Sequence, residues 1–337
     1  MVTIQDVARH AGVSVGTVSR VLNEHPTVRP NVRATVLESI SELDYRPNSI
    51  ARDLRRSRTR TIGLMVNDLN NPPSVALLRG TEDAAREAGY TVVIAESRSD
   101  IETEALNLKV LLERRVDALL CVPVHSVDAL AERAEAAHVP LAILNQRSPH
   151  RRVATGYVDE NAAIVAALEC MTGLGHRRFA MLHPTGSASG RSRTERVRQY
   201  LSAQGFLGPS SGQLLWSFLD GDDCERLVTK LLTVPEAPTA LVVGAHQYIP
   251  DVLRAVKAAN KRIPFDVSVV AFGDSTWASA FSPSISVIAF DQRQHAIDTT
   301  RMLLSILDGE SSTTSVPATA EFIQRESCAA PPADESG

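Results

Sequence analysis

The stretch TIQDVARHAGVSVGTVSRVLN, residues 3–23, decides how the start of this 337-residue chain folds. Its apolar residues recur at the spacing of one helix face, and Gly12 interrupts them where a left-handed helix end favours glycine. Ser14 can then cap a second helix. The apolar faces of the two helices are predicted to consist of Ile4, Val7, Ala8, Ala11, Val18, Val21 and Leu22. The pattern predicts two short helices joined by a tight turn.

A third helix is predicted to begin at Pro30, because proline suits the first position of a helix. Its buried stripe would consist of Val36, Leu37, Ile40 and Leu43. Three short helices in succession form a compact head, which we assign to residues 1–46.

From residue 61 onward, short apolar runs alternate with helical stretches. The runs are TIGLMV (61–66), YTVVIA (90–95), VDALLCV (116–122), VPLAIL (139–144), RFAML (178–182), TALVVG (239–244) and DVSVVAF (266–272). Short continuous apolar strands that alternate with helices are typical of parallel sheets covered on both faces. Such a long pattern would overfill one sheet, so two doubly wound lobes are expected.

The charge is distributed unevenly between these two parts. Residues 1–60 contain ten arginines against six acidic residues, whereas the whole chain has a formal net charge of -4. The head is therefore basic and the body acidic. This asymmetry fits a head that meets a polyanion while the body repels it.

The spacing of a helix-turn-helix also occurs in proteins that never touch DNA, but the residues here are more specific. The stretch 3–23 closely resembles the signature of the LacI/GalR (lactose-repressor) family of bacterial transcriptional regulators. The matching residues are Thr3, Asp6, Val7, Ala8, Ala11, Gly12, Val13, Ser14, Thr17, Val18, Ser19, Arg20, Val21, Leu22 and Asn23. The resemblance implies a sequence-specific DNA-binding regulator.

In such a head the second helix enters the major groove of DNA, and residues near its start meet base edges. The resemblance assigns base reading to Val15, Gly16 and Arg20. Arg20 can pair bidentately with guanine, Val15 can offer only apolar contact to a thymine methyl group, and Gly16 has no side chain. Phosphate contacts that set the register are implied for Thr3, Ser14, Thr17, Ser19 and Asn23. For Ser14, a helix cap is an equal and compatible role.

The segment YRPNSIARDLRRS, residues 45–57, also resembles the family, in which it forms a hinge helix when two subunits dock on an operator. With Asn48 as cap, the hinge helix would contain roughly eight residues, fewer than the roughly 12–15 at which isolated helices become marginal in water. We therefore expect it to fold only on DNA. By the resemblance Leu54, with Ala51 on the same apolar stripe, wedges into the minor groove at a central CG step. Arg55 and its arginine neighbours would contact phosphates, and a flexible charged linker is the alternative.

The remainder of the chain is similar to the rest of that family, whose fold is that of periplasmic sugar-binding proteins, with ligand in a cleft between two lobes. The resemblance is carried by GLMVNDLNNP (63–72), VDALL (116–120), LGHRRFAML (174–182), IPFDVSVVAF (263–272) and LLSILDG (303–309). The implied parts are a hinge at 47–60 and an effector-binding and dimerisation domain at 61–328, and the polar, proline-rich composition of residues 329–337 predicts a disordered tail. Within that domain, the N-lobe would take residues 61–158 and 291–318, and the C-lobe 159–290 and 319–328.

The predicted fold class is thus a small all-α helix-turn-helix head plus an α/β two-lobed sensor like a periplasmic binding protein, with two doubly wound parallel sheets. Such proteins bind ligands beyond the carboxyl ends of their strands. By the resemblance Arg147, Arg193 and Asp274 hold effector-contacting positions, with an ion pair as the alternative for each. The full set of effector candidates is Asp68, Asn70, Asn71, Arg147, Arg191, Arg193, His246, Gln247, Asp274 and Trp277.

Two places depart from the family pattern. His246 and Gln247 stand where many members have Asn-Asp, and Pro73 stands where an aromatic residue often follows Asn-Pro. The missing aspartate would accept hydrogen bonds from sugar hydroxyls. The arginines among the candidates favour an anionic or less hydroxylated effector, because guanidinium groups match carboxylate and phosphate, while an ordinary sugar stays open.

Other functions are disfavoured by what the sequence lacks. The four cysteines, Cys121, Cys170, Cys224 and Cys328, form no Cys-x-x-Cys pair, which argues against a zinc site and a disulfide framework. There is no P-loop, no Gly-x-Ser-x-Gly elbow, no His-Glu-x-x-His and no Rossmann glycine fingerprint. His176 precedes a strand in a turn and is expected to be structural. We predict no catalytic site, cofactor or metal.

The chain shows neither an export signal nor a segment that could span a bilayer, so we expect a cytoplasmic protein with no membrane partner. A binding protein for transport shares the body's fold, but it needs an export signal and has no use for the head. The predicted partners are double-stranded operator DNA, a small-molecule effector and a second copy of the chain, with a tetramer as the open alternative to the dimer. Repression is the predicted outcome, and activation is the alternative.

Overall fold

The computed structural model describes residues 2–22, 25–45, 58–124, 126–148, 150, 152–184, 188–206, 214–219, 224–310 and 314–333. The chain divides into two compact units, Met1–Thr59 and Arg60–Gly337. No helix within the described ranges is both long enough and apolar enough to cross a membrane.

The first unit contains the three predicted helices, which are α1 (Ile4–His10), α2 (Val15–Leu22) and α3 (Pro30–Glu42). Thr3 begins α1 with a reciprocal cap, because its Oγ1 accepts from the Asp6 N–H and the Asp6 carboxylate accepts from the Thr3 N–H at 3.0 Å. Gly12 has a φ of +65°, the left-handed conformation predicted for the turn. The helices of the head are therefore specified by local signals, namely helix caps, a glycine turn and apolar spacing.

One predicted core residue of the head is wrong. Val36 is fully buried, but Leu37 is 50% exposed, and Ser39 occupies an inward position on α3 instead. Successive residues of an α-helix are rotated by about 100°, and on α3 this rotation places Leu37 outside the buried stripe that contains Val36 and Ser39. The small core is formed by Val7, Ala8, Val18, Val21 and Val36.

The second unit contains two six-stranded sheets. The first sheet is formed by β1 (Thr61–Val66), β2 (Thr91–Glu96), β3 (Ala118–Cys121), β4 (Leu141–Leu144), β5 (Ala154–Asp159) and β11 (Ser315–Thr319), in the order β11-β5-β4-β3-β1-β2. The second is formed by β6 (Phe179–Pro184), β7 (Leu214–Leu219), β8 (Ala240–Val243), β9 (Ser268–Phe272), β10 (Ser286–Ala289) and β12 (Glu321–Ile323), in the order β12-β10-β9-β8-β6-β7. All pairings are parallel except that of β10 with β12. The predicted two-sheet parallel architecture is confirmed.

Helices cover both faces of each sheet. They are α4 (Pro72–Glu87), α5 (Ile101–Glu113), α6 (Val127–Ala136), α7 (Asn161–Gly173), α8 (Ala188–Ala203), α9 (Cys224–Thr233), α10 (Ile249–Ala258), α11 (Thr276–Ala280) and α12 (Gln292–Leu307). Each sheet separates two apolar clusters, so strands such as β3 and β8 are buried along their whole length. This explains their unbroken apolar sequences.

The chain passes between the two sheets three times, after β5, after β10 and between β11 and β12. The sheets therefore form two lobes joined by crossing segments. This arrangement leaves a cleft between the carboxyl ends of strands that belong to different lobes.

His176 has the structural role predicted for it. Its buried ring lies 2.9 Å from Thr239 Oγ1, 2.9 Å from Ser268 Oγ and 2.9 Å from the backbone oxygen of Ala329. The Ala329 N–H also donates to Ser268 Oγ at 3.0 Å. The first residue of the segment expected to be disordered is thus hydrogen-bonded to the second sheet.

Candidate nucleic-acid interface and ligand cleft

The helix α2 has one buried face and one exposed face. Val18 and Val21 are buried, whereas Val15, Gly16 and Arg20 are exposed to solvent. The helix contains no acidic residue, so nothing on α2 itself opposes a polyanion. The three residues assigned to base reading therefore share the face that is free to meet a groove.

The hydroxyl groups assigned to phosphate contacts are partly occupied by helix caps. Thr3 Oγ1 donates to the Asp6 carboxylate at 2.6 Å. Ser14 Oγ accepts from the Thr17 N–H at 3.1 Å and lies 2.9 Å from Thr17 Oγ1. Ser14 thus has the capping role, which leaves its exposed oxygen room for a further hydrogen bond. The candidates outside the described residues are Asn23, Asn48, Ala51, Leu54 and Arg55.

A cleft of about 150 Å³ is lined by residues of both lobes. Asn67 and Asn145 directly follow β1 and β4 of the first sheet, whereas Gly244 and Gly273 directly follow β8 and β9 of the second. The cleft therefore lies at the strand ends where parallel sheets bind ligands.

The structure brings some of the effector candidates together in this cleft and leaves others outside it. The candidates that line the cleft are Asn71, Arg193, His246 and Gln247. Those not in its lining are Asp68, Asn70, Arg147, Arg191, Asp274 and Trp277.

Arg193 lines the cleft, but its charge is already compensated. Its guanidinium group donates to both carboxylate oxygens of Glu160, with Nε 2.9 Å from Oε2. It also donates to the Gly244 carbonyl at 2.9 Å and lies 4.2 Å from the centre of the Phe272 ring. Its donors are thus largely committed to the protein.

Two other candidates also have partners within the protein. The Asp274 carboxylate accepts two hydrogen bonds from Arg325, at 2.9 and 2.7 Å. The Arg147 guanidinium group stacks on Tyr157, 3.5 Å from the ring centre. The ion-pair alternative therefore describes Asp274 in this structure. The arginine-based argument for an anionic effector loses its basis, because Arg193 alone of the three arginines lines the cleft and it is paired.

The cleft contains four buried acceptors, of which the sequence analysis proposed Asn71 and His246 and missed Asn145 and Gln292. Asn71 Oδ1, Asn145 Oδ1, Gln292 Oε1 and His246 Nε2 are buried atoms without a hydrogen-bond partner. Buried polar atoms in folded proteins nearly always have partners, so a group of four in one cleft indicates a place for ligand donors. Asn145 follows a predicted strand directly and could have been found by that position. Gln292 could not, because β10, which precedes it, was not predicted.

Comparisons with known proteins agree with this architecture. Residues 3–48 match the model of the bacterial regulatory proteins of the lacI family, and residues 168–328 match that of the periplasmic binding protein-like domain. The Ribose operon repressor of Escherichia coli strain K12 is 30% identical over 305 residues, which cover 86% of this chain and 88% of the relative. This chain belongs to the LacI family.

Other relatives extend the match to almost the whole chain. Catabolite control protein A of Priestia megaterium is 27% identical over 96% of this chain and 98% of its own length. The crystal structure of the Lac repressor dimer bound to operator and the anti-inducer ONPF superposes with a TM-score of 0.84, at 26% identity, over 98% of this chain and 99% of that one. A complex of the transcriptional regulator CelR with cellobiose has a TM-score of 0.70 at 28% identity, over 97% of this chain and 100% of that one.

Membership of the LacI family makes this protein a DNA-binding transcription regulator and not an enzyme. The family model covers the head up to residue 48, so the signature residues of α1 and α2 lie within it. Among the residues that the structure describes, no group of His, Cys, Asp and Glu could hold a metal ion.

Proposed function

We propose that this protein is a transcriptional repressor that binds a palindromic operator as a dimer, under the control of a small molecule bound in the cleft. One observation carries the proposal. A single chain contains a helix with an exposed, acid-free reading face and a separate cleft with buried polar atoms that lack partners. The relatives support it: the Lac repressor dimer was solved on its operator with an anti-inducer, and CelR was solved with cellobiose.

For the head, we propose base reading by Val15, Gly16 and Arg20. Two symmetric heads require a dimer, which the body would supply. Hydroxyl and amide groups would bind phosphates, and the hinge would enter the minor groove. The proposed contacts beyond the reading residues are Thr3, Ser14, Thr17, Ser19, Asn23, Asn48, Ala51, Leu54 and Arg55.

For the body, we propose that Asn71, Arg193, His246 and Gln247 form the effector site together with Asn145 and Gln292. The proposed parts of the chain stay a head at 1–46, a hinge at 47–60, an effector-binding and dimerisation domain at 61–328 and a tail beyond. We place the protein in the cytoplasm, where an operator is accessible.

The control mechanism follows from the position of the acceptors. They belong to both lobes, so a ligand that donates to all of them ties the lobes together and changes their relative orientation. A coupling free energy of about 1–3 kcal/mol would change operator affinity by roughly 5- to 150-fold.

The experiment begins by selecting operator sequences from a random DNA library with the full-length protein. The dissociation constant for the selected duplex is then measured by fluorescence anisotropy for wild type and Arg20→Ala. Loss of a bidentate guanine contact weakens binding by about 1–3 kcal/mol, or roughly 5- to 150-fold. The preference for guanine at the contacted position should relax at the same time.

Arg9→Ala is the matched control. It removes the same charge from the same head, where Arg9 is exposed and pairs with Asp6 on α1. We expect a smaller loss that is uniform across sequences. Equal losses for the two variants, with no change in base preference, would contradict the proposed reading role. Failure to select any palindrome would contradict the proposed function itself.

A further inference from the structure

The helix α5 packs on the first sheet through an apolar stripe that a carboxylate interrupts. Leu108 and Leu111 of this stripe are 1% and 2% exposed and belong to an apolar cluster that includes strand residues. Glu104 lies one turn before Leu108 on the same face and is itself only 4% exposed. Burial of a carboxylate costs free energy, whereas burial of an apolar side chain at this position would not. The presence of Glu104 therefore has to be explained by what its carboxylate binds.

The carboxylate binds the backbone just beyond β3. Glu104 Oε2 accepts a hydrogen bond from the Val124 N–H at 2.7 Å. Burial and, to a smaller extent, the charge of Glu104 raise the pKa of the Cys121 thiol, which places the carboxylate beside the end of β3. Burial also raises the pKa of Glu104, and the bond from Val124 opposes that shift. Burial thus disfavours the charged carboxylate, and the Val124 N–H stabilises it.

The sequence at the end of β3 explains why the backbone needs this acceptor. The Val122 N–H donates to the Met65 oxygen of β1 at 2.9 Å, so Val122 still belongs to the hydrogen-bonding pattern of the sheet. Pro123 has no N–H group. Val124 is 7% exposed, and its N–H is the first donor beyond the sheet. A buried N–H without an acceptor is strongly unfavourable, and Glu104 supplies the acceptor from α5.

The segment fixed in this way forms part of the ligand cleft. Val122, Pro123 and Val124 all belong to the cleft lining, on the side of the first lobe. Backbone that lines a binding site favours binding when its conformation is already fixed, because the ordering of a mobile segment reduces affinity. The contact made by Glu104 therefore bears on ligand binding, although Glu104 is not among the lining residues.

A second side chain of α5 fixes the neighbouring strand end. Asn107 Nδ2 donates to the backbone oxygen of Glu96, the last residue of β2, at 2.9 Å. The Glu96 carboxylate in turn accepts from the Leu69 N–H, in the loop after β1, at 2.7 Å. Polar side chains of α5 and β2 thus connect the segments that follow β1, β2 and β3 at the carboxyl edge of the first sheet.

We propose that Glu104 is a positioning residue, whose carboxylate holds residues 122–124 in the conformation that forms the first-lobe wall of the ligand cleft. It acts through the Val124 N–H and not on the ligand itself. Its benefit is local to the wall, because an apolar side chain would serve the packing of α5 better than a buried carboxylate does. This inference rests on the proposed function, because it concerns the cleft in which the effector would bind.

Two substitutions separate positioning from a purely structural role. Glu104→Gln keeps an oxygen that can accept from Val124 but loses the charge. Glu104→Leu completes the apolar stripe of α5 but accepts no hydrogen bond. Positioning predicts that the Leu variant resists urea at least as well as the wild type while residues 122–124 lose protection. Glu102→Leu, at an exposed position of the same helix, is the matched control.

Residue-resolved hydrogen exchange of the full-length protein measures this contact directly. Because Pro123 has no amide hydrogen, the segment contains the amides of Val122 and Val124, and Val122 serves as the internal reference. In Glu104→Leu the Val124 amide should exchange at least about tenfold faster than in the wild type, whereas Val122 should keep its rate. Glu104→Gln should stay within a few fold of the wild type, and Glu102→Leu should match it.

Ligand affinity provides the functional measurement. The wild type is screened by thermal shift with D-ribose, cellobiose, gluconate, glucose 6-phosphate and adenosine, and a compound that raises the melting temperature is titrated by calorimetry. Its dissociation constant should rise at least about tenfold in Glu104→Leu and stay within a few fold in Glu104→Gln. If none of these compounds binds, the exchange measurement alone decides.

The inference is overturned if the Val124 amide keeps its wild-type rate in Glu104→Leu, if exchange rises equally throughout the first lobe, or if this variant loses its fold. Unchanged affinity of Glu104→Leu for a compound that the wild type binds would overturn it as well. Operator binding by all four proteins without ligand is measured in parallel. Any of these outcomes with intact operator binding removes the role of Glu104 alone, whereas absence of operator binding by the wild type would count against the proposed function.

Discussion

The helix α2 and the cleft differ in whether their charged side chains are paired within the protein. On α2, Arg20 lies on a solvent-exposed face, so its guanidinium group is accessible to a binding partner, as the sequence predicts. In the cleft, Arg193 forms a salt bridge with Glu160. Outside the cleft lining, Asp274 forms one with Arg325. The role of an exposed arginine on the head can therefore be predicted from its sequence position, whereas the role of an arginine in the cleft depends on which residues it pairs with.

The largest expected effect comes from breaking the ion pair of the cleft. Side chains of Arg193 and Glu160 are only 18% and 14% exposed. Arg193→Ala leaves the Glu160 carboxylate largely buried without its partner, and loss of one member of a buried pair costs about 3–5 kcal/mol. The free energy of unfolding, measured by urea denaturation, should fall by up to that amount.

Arg198→Ala is the control for this comparison. Arg198 lies on the same helix, α8, and its pair with Glu195 is 4.0 Å long between half-exposed side chains. Exposed pairs contribute little to stability. Similar losses for Arg193→Ala and Arg198→Ala would show that the cleft pair is no more important than a surface pair.

A second prediction concerns packing within the first lobe. A methyl group on Gly80 of α4 would lie 2.2 Å from the backbone oxygen of Arg293 and 2.8 Å from Ala296 Cβ, both on α12. Because the helices must separate, Gly80→Ala should lower the free energy of unfolding by about 1–3 kcal/mol. Gly173→Ala, at the end of α7, meets nothing within 4 Å and should be neutral or stabilising by up to about 1 kcal/mol. Equal effects in thermal denaturation would refute the tight contact of α4 with α12.

A third prediction concerns pH. Burial lowers the pKa of His176, His246 and His295 below the usual 6.5. The unfolded chain therefore binds protons more readily than the folded one as pH falls below 6.5. The contribution of these neutral rings to the free energy of unfolding should be complete above pH 6.5. Below that pH the free energy of unfolding should decrease, by at most about 1.4 kcal/mol per pH unit for each histidine.

Urea denaturation at pH 7.5, 6.5 and 5.5 checks this slope. His176→Gln should reduce it, and His138→Gln, at an exposed position, controls for the substitution itself. A stability that does not change between pH 7.5 and 5.5 would contradict the burial of these rings in their neutral form.

The smallest effect is expected in the head. Thr3→Ala removes the side chain that caps α1, which costs about 1 kcal/mol of helix stability. Hydrogen exchange at the first amides of α1 should accelerate by roughly fivefold as a result. Thr3→Ser keeps the hydroxyl and should exchange like the wild type, and equal protection in Thr3→Ala and wild type would argue against the cap.

Several structural features were predictable because their signals are local. The buried strands β1, β3 and β8 coincide with apolar runs, and α1 and α2 follow from their caps and apolar spacing. The edge strand β11 was not predicted, because Pro317 interrupts it and a proline is tolerated only where a strand has one neighbour. The three-residue β12 is too short to show a period.

By itself, the sequence determined the helical head, the two-sheet class of the body and the family to which the chain belongs. Only the tertiary structure decided which polar groups of the body are committed to the protein. Glu160 and Arg193 are 33 residues apart, and Asp274 and Arg325 are 51 apart. Local periodicity carries no information about contacts over such separations, because these contacts form only when the second lobe has folded. His246 differs from these paired residues because its Nε2 has no hydrogen-bond partner among the described residues.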